Sequence, residues 1–205
     1  MRIFLKDETE KELLLRANGL GVSISNIIRL HLILYSERVV VKKEDLECFK
    51  KEGGRFFQID VQEGLLDKYD KKIRYKYTLS DLLTVHIYKS VNTTIKEWKE
   101  IRSNAREEMS FSTYMLNPNI VKKMNDIKKE TGLTLTTIIN YSSFLKVGNK
   151  KASPLNDEKK VKQGFQIKNN TLECLEKQSD IENIKVGHLL ELKIKKFARI
   201  LEKKE

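Results

Sequence analysis

Val22-Ser23-Ile24-Ser25-Asn26-Ile27-Ile28 is a polar turn leading into an apolar stripe, and the 205-residue chain repeats it three times. The other copies are Tyr77-Thr78-Leu79-Ser80-Asp81-Leu82-Leu83, Leu133-Thr134-Leu135-Thr136-Thr137-Ile138-Ile139 and Ile184-Lys185-Val186-Gly187-His188-Leu189-Leu190. Positions 23, 78, 134 and 185 are separated by 55, 56 and 51 residues. Apolar residues at i, i+3 and i+4 predict one buried helix stripe per copy. Ser23, Thr78 and Thr134 are suitable N-caps, because a hydroxyl accepts a bond from an orphan backbone N–H. Lys185 is a poor one, so the fourth copy has diverged at this point.

A strand candidate precedes each of these helices. Leu5, Leu116 and Ile167 lie 18 residues before positions 23, 134 and 185, and Ile59 lies 19 before 78. Ile3, Phe57, Tyr114 and Phe165 stand two residues earlier. Apolar residues alternating in this way predict half-buried strands. A first helix follows each strand, with starts at Thr9-x-x-Glu12, Asn117-Pro118 and Asn170-x-x-Glu173. In the second copy Leu65-Leu66 fits, while 68–76 is irregular.

The reading gives repeats at 1–36, 55–90, 109–147 and 163–205. Between them lie a connector with a short charged helix at 44–51, a helical connector at 91–108 with Ile95, Trp98 and Ile101 on one side, and a linker at 148–162. The expected class is α+β, mainly helical.

Composition narrows the partners. Forty Lys and Arg against 29 Asp and Glu give a net charge of +11. That excess favours nucleic acid, an anionic membrane surface or an acidic protein. It is spread over the chain: 1–52, 53–107, 108–150 and 151–205 carry +1, +3, +3 and +4. A polybasic arm is excluded by that distribution. No apolar run approaches the roughly 20 residues of a membrane span, and charge begins at Arg2, so a soluble cytoplasmic protein is expected. Cys48 and Cys174 cannot form a disulfide framework and read as packing thiols. His31 and His86 occupy equivalent places but lack further ligands at metal spacing, so they read as a polar pair in the core. No catalytic signature occurs, and neither an enzyme nor a cofactor is expected.

Strand, helix, break and hydroxyl-capped helix, best seen in Arg2–Tyr35 and again in Tyr114–Leu145, resemble the ribbon-helix-helix superfamily of Arc, MetJ and CopG. The resemblance implies paired strands forming a ribbon that enters the DNA major groove. Four copies imply two pseudo-dimers in one chain, pairing one with two and three with four by adjacency, or one with four and two with three. Outward strand residues then become candidate base contacts: Arg2, Phe4, Lys6, Gln58, Thr113, Met115, Gln166 and Lys168. Phe56, Asp60, Asn117 and Gly164 share that outward phase. Phe4, Phe56 and Met115 either press on thymine methyls or mark ribbons packed on protein. The second-helix N-termini place Ser23, Ser25, Thr78, Ser80, Thr134, Thr136 and Lys185 as candidate phosphate contacts, although an N-cap closes a helix with or without a phosphate. Because the outward residues differ in every copy, the expected target is an asymmetric double-stranded DNA site bound by a repressor. The alternatives are an accessory protein of plasmid partition or conjugation, and an antitoxin-like protein-binding module.

Overall fold

The computed structural model describes residues 1–70, 77–93, 96–105, 108–147 and 159–202. The first half runs β1 (Arg2–Lys6), α1 (Asp7–Leu20), α2 (Ile24–Leu34), α3 (Lys43–Cys48), β2 (Gly54–Gln58), α4 (Glu63–Asp70) and α5 (Leu79–Asn92). After α6 (Lys96–Ile101) come β3 (Met109–Leu116), α7 (Pro118–Thr131), α8 (Leu135–Ser143), β4 (Val161–Lys168), α9 (Asn169–Glu182) and α10 (Val186–Glu202). The fold is α+β and mainly helical, with two small antiparallel two-stranded sheets among the described residues. β1 pairs with β2 and β3 with β4.

Local chemistry explains where the helices begin and end. Ser23, Thr78 and Thr134 accept bonds from the backbone N–H of Asn26, Asp81 and Thr137. Two residues before the second-helix caps, Gly21, Gly132 and Asn183 end the preceding helices with φ of 66°, 70° and 51°. Glycine or asparagine tolerates that left-handed conformation, which turns the chain between paired helices. Asn117 caps α7 and Pro118 opens it, as the sequence predicts. α1 and α9 start earlier than predicted, directly off their strands at Lys6 and Lys168, with no side-chain cap. Thr9 is buried instead of capping.

The predicted stripes form one continuous core. Ile27, Ile28, Leu82, Leu83, Ile138, Ile139, Leu189 and Leu190 are buried, with Ile3, Leu5, Leu116, Phe165 and Ile167 beneath them on the strands and Ile59 just past the end of β2. All three connectors differ from the sequence reading. α3 stops at Cys48, and Phe49 turns away in extended conformation to pack edge-on against Tyr88 at 5.4 Å. The 91–108 connector is a core element: α5 continues to Asn92, and Trp98 and Ile101 of α6 are buried. Ile95 and residues 148–158 of the linker lie outside the described residues, but Val161 and Lys162 already belong to β4. Cys48 and Cys174 are exposed, not packed. No single helix among the described residues is long and apolar enough to cross a membrane.

Trp98 ties the two halves together. Its indole N–H donates to the Tyr35 hydroxyl at 3.0 Å, and its ring stacks on His31 at 5.2 Å and lies 5.6 Å from Tyr141. The Arg16 guanidinium sits over it at 5.0 Å. Arg16 donates to His31 Nε2 at 2.8 Å and to the Val91 carbonyl at 2.9 Å. His31 therefore carries its proton on Nδ1, which donates to Ser90 at 2.9 Å. Asn140 donates to the Leu20 carbonyl and the Thr134 amide to Asn26 Oδ1, closing the contact between halves.

Trp98→Ala should cost about 3–5 kcal/mol of unfolding free energy, the usual range for deleting a buried aromatic. Trp98 is the chain's one tryptophan, so its fluorescence reports the wild-type transition directly, and circular dichroism compares the two proteins. Burial, then the charges of Arg16 and His86, hold His31 well below the ordinary imidazole range. A neutral buried imidazole stabilises the fold above the unfolded pKa of 6.5, and that contribution is lost as pH falls below it. Denaturant midpoints measured from pH 7 to pH 5 should fall more steeply for wild type than for His31→Gln.

Candidate nucleic-acid interface

Each ribbon turns one face to the core and one outward, so register decides which side chains meet a ligand. In the first ribbon the outward pairs are Arg2 with Gln58, Phe4 with Phe56, and Lys6 with Gly54. Arg2 and Gln58 are exposed, and Phe56 is 51% exposed. Phe4 is not available as a base contact, because only 5% of it is accessible. Its ring meets Phe56 edge-on at 5.4 Å, and its amide donates to Thr84 on α5. Two aromatic rings directly opposite one another on one ribbon face pack together, and the smaller exposed share falls to the one beside α5. Arg2 and Lys51 place cations 5.0 and 5.8 Å from the Phe56 ring centre. Lys6 is half-buried, its ammonium 4.9 Å from the Phe49 ring and 5.2 Å from that of Tyr88.

The second ribbon pairs Phe111 with Gln166, Thr113 with Gly164, and Met115 with Lys162 on its outward face. All except Gly164 are exposed, Phe111 by 73% and Met115 by 51%. A Cβ on Gly164 would stand 2.3 Å from Phe111 Cζ, so the ring lies across the ribbon over the glycine and would have to swing aside for a larger residue. Lys168 does not join this face. It is 2% exposed and its ammonium donates to the Gly19 carbonyl. That carbonyl belongs to the last turn of α1, where an orphan acceptor at the negative end of the helix dipole attracts a cation. Asn117, also placed outward by period two, is buried as the α7 cap. Phe111 and Lys162 were the residues missed. Phe111 shares the alternation of Thr113 and Met115, whereas Lys162 follows a charge run that reads as linker.

The second-helix N-termini are not alike. Ser23 and Thr134 are exposed caps brought together through Asn26, whose amide nitrogen donates to Ser23 Oγ at 3.0 Å and whose oxygen accepts from Thr134 N at 3.2 Å. Ser25 and Thr136 are half-buried on the same first turns, and Lys185 is exposed before α10. At α5 the arrangement disfavours an anion. Asp81 closes a capping box with Thr78 and pairs with Lys51 at 2.6 Å. Burial pushes the Asp81 carboxyl up, and the bonds from Lys51 and Thr78 outweigh it, holding the group below its ordinary range. Thr78 donates to that carboxylate, and Ser80 donates to the Arg2 carbonyl. Both hydroxyls therefore serve the fold, and a phosphate arriving there would face a carboxylate.

No family model, curated protein or solved structure matches this chain.

What the arrangement offers is two outward ribbon faces of different chemistry. One presents a guanidinium and a carboxamide around a cation-flanked Phe56. The other presents an apolar strip edged by Gln166 and Lys162. Among the described residues no group of three or more His, Cys, Asp or Glu is placed to hold a metal ion.

Lys168→Met should lower stability by about 1–3 kcal/mol, because it leaves the Gly19 carbonyl buried without its donor. Gln166→Ala and Thr113→Ala should stay within about 0.5 kcal/mol of wild type, as exposed substitutions do. Denaturant titration of the three variants checks both parts, and equal effects would overturn the separation.

Proposed function

We propose that the chain binds double-stranded DNA in a sequence-specific manner by setting its ribbons into the major groove, as a ribbon-helix-helix protein with four units in one polypeptide. The observation that carries this reading is the pairing of successive strand–helix–helix segments into two antiparallel ribbons whose outward faces hold exposed Arg2, Gln58, Gln166, Thr113 and Lys162. Arginine or lysine can donate to guanine O6 and N7, and glutamine can bond adenine at N6 and N7. Net charge supplies the sequence-independent attraction. A two-stranded antiparallel ribbon has dimensions that fit the major groove.

Repression at an asymmetric operator is the role this favours. The outward faces of the two ribbons have glutamine, glycine, phenylalanine and lysine in common, but no pair recurs: Arg2–Gln58, Phe4–Phe56 and Lys6–Gly54 stand on one, Phe111–Gln166, Thr113–Gly164 and Met115–Lys162 on the other. Joining two ribbons makes the second docking intramolecular, which raises avidity without new contacts. Phosphate anchoring falls to the exposed Ser23 and Thr134 with Ser25, Thr136 and Lys185, and not to Thr78 or Ser80. One observation favours a second reading, an antitoxin-like protein-binding module: Phe56, Phe111 and Met115 are large apolar side chains left in solvent.

Selection from random duplexes, repeated with Arg2→Ala, Gln58→Ala and Gln166→Ala, tests the proposal. The expected result is one non-palindromic site, with each variant relaxing a different position and costing about 1–3 kcal/mol. Affinity for that site should fall steeply between 50 and 200 mM salt, by about a thousandfold if six phosphates are neutralised. Salt-independent binding, or a stoichiometric protein partner recovered without any duplex being selected, would replace this reading by the second.

A further inference from the structure

We infer that the second ribbon is a thymine-methyl reader, Phe111 and Met115 contacting the 5-methyl groups of an A·T-rich subsite while Gln166 pairs with an adenine. The inference rests on the DNA-binding reading above and specifies what the β3–β4 face recognises. Three features of that face carry it. Phe111 and Met115 remain in solvent at 73% and 51% exposure, on the same outward face as Thr113. A strand advances about 3.4 Å per residue, so the two apolar groups stand roughly 14 Å apart. That span matches about four base steps at roughly 3.4 Å each.

Gln166 lies directly opposite Phe111. A carboxamide beside an apolar ring suits one T·A pair, whose major-groove edge offers a methyl group, an acceptor and an amine donor side by side. Gly164 makes the arrangement possible, since a Cβ at that position would collide with the Phe111 ring. Lys162, opposite Met115, supplies a cation at the edge of the apolar strip, so the face has an anionic partner with apolar points, which is what a thymine-bearing groove provides. The first ribbon differs: its Phe56 ring is flanked by Arg2 and Lys51, which suits it to guanine and to phosphate instead.

The experiment uses the full chain and the duplex it selects, with deoxyuridine replacing thymidine one position at a time. Deoxyuridine keeps every hydrogen bond and removes only the methyl group. Wild type should lose about four-fold in affinity for each contacted methyl, at positions confined to one end of the site. A Phe111→Ala/Met115→Ala variant should bind the thymidine duplex more weakly and no longer distinguish it from the deoxyuridine duplexes. Gly164→Val, which displaces the ring without removing it, should lose the methyl discrimination opposite Gln166 only. Thermal unfolding of the double variant should coincide with wild type, because both side chains are exposed. Equal affinity of wild type for thymidine and deoxyuridine duplexes would overturn the inference and leave DNA binding standing. Failure to select any duplex would overturn DNA binding itself.

Discussion

A strand followed by two short helices has one apolar face and no means of burying it alone, and that constraint governs the rest of this structure. A single two-stranded ribbon is marginal in water, and an amphipathic helix pair needs a partner surface. Pairing β1 with β2 and β3 with β4 gives each ribbon a roof of helices, with Ile3, Leu5 and Ile59 under one roof and Leu116, Phe165 and Ile167 under the other. Edge polarity is settled in the same step. The free edge of β1 is taken by α5, where Thr84 accepts from the Phe4 amide and Ser80 donates to the Arg2 carbonyl. A buried backbone group left without such a partner would cost as much as a lost hydrogen bond.

Equivalent positions have been put to different uses once this packing was secured. Position 31 and its counterparts 86, 142 and 193 hold His, His, Ser and Lys, all buried. His31 organises Arg16, Ser90 and Trp98, whereas the Lys193 ammonium donates to the carbonyls of Ser143 and Leu145 at the end of α8. Burial pulls that ammonium down to about 8, while the orphan carbonyls give it acceptors in either protonation state. Both solutions satisfy polar groups at the same depth in the core, one through a ring network and one through a helix terminus.

The helix stripes and strands were legible because they rest on periodicity: the i, i+3, i+4 stripes after positions 23, 78, 134 and 185 and the paired apolar residues 18 or 19 places before them are local patterns. What escaped depends on contacts distant in sequence. Lys168 has the right phase for an outward ribbon residue, yet the carbonyl at Gly19 captures it across 149 positions. Phe4 has the same outward phase, but Phe56 and α5 cover it. Nothing local marks Trp98 as the joint between halves, since its partners Tyr35, His31 and Tyr141 come from both sides of the chain. Asp81, in contrast, stood in plain view three residues after Thr78, and a capping box there already implies a carboxylate where a phosphate would bind.

Covalent linkage explains why the two outward faces can differ so far. In a homodimer a ribbon presents the same side chains from both strands, related by a two-fold axis, and any change appears twice. Here Arg2 faces Gln58 and Met115 faces Lys162, each pair once, whereas a two-fold axis would repeat every such pair. The core tolerates this freedom because inward and outward residues alternate, so an outward substitution leaves Ile3, Phe165 and their neighbours untouched. Gly164 under Phe111 is one product of that freedom: a ring on one strand is accommodated by a missing Cβ on the other, which a symmetric pair would have to repeat on both strands. One chain thus supplies two ribbon faces of different chemistry on one hydrophobic core, its halves joined at Trp98 and at the Asn26–Thr134 contact.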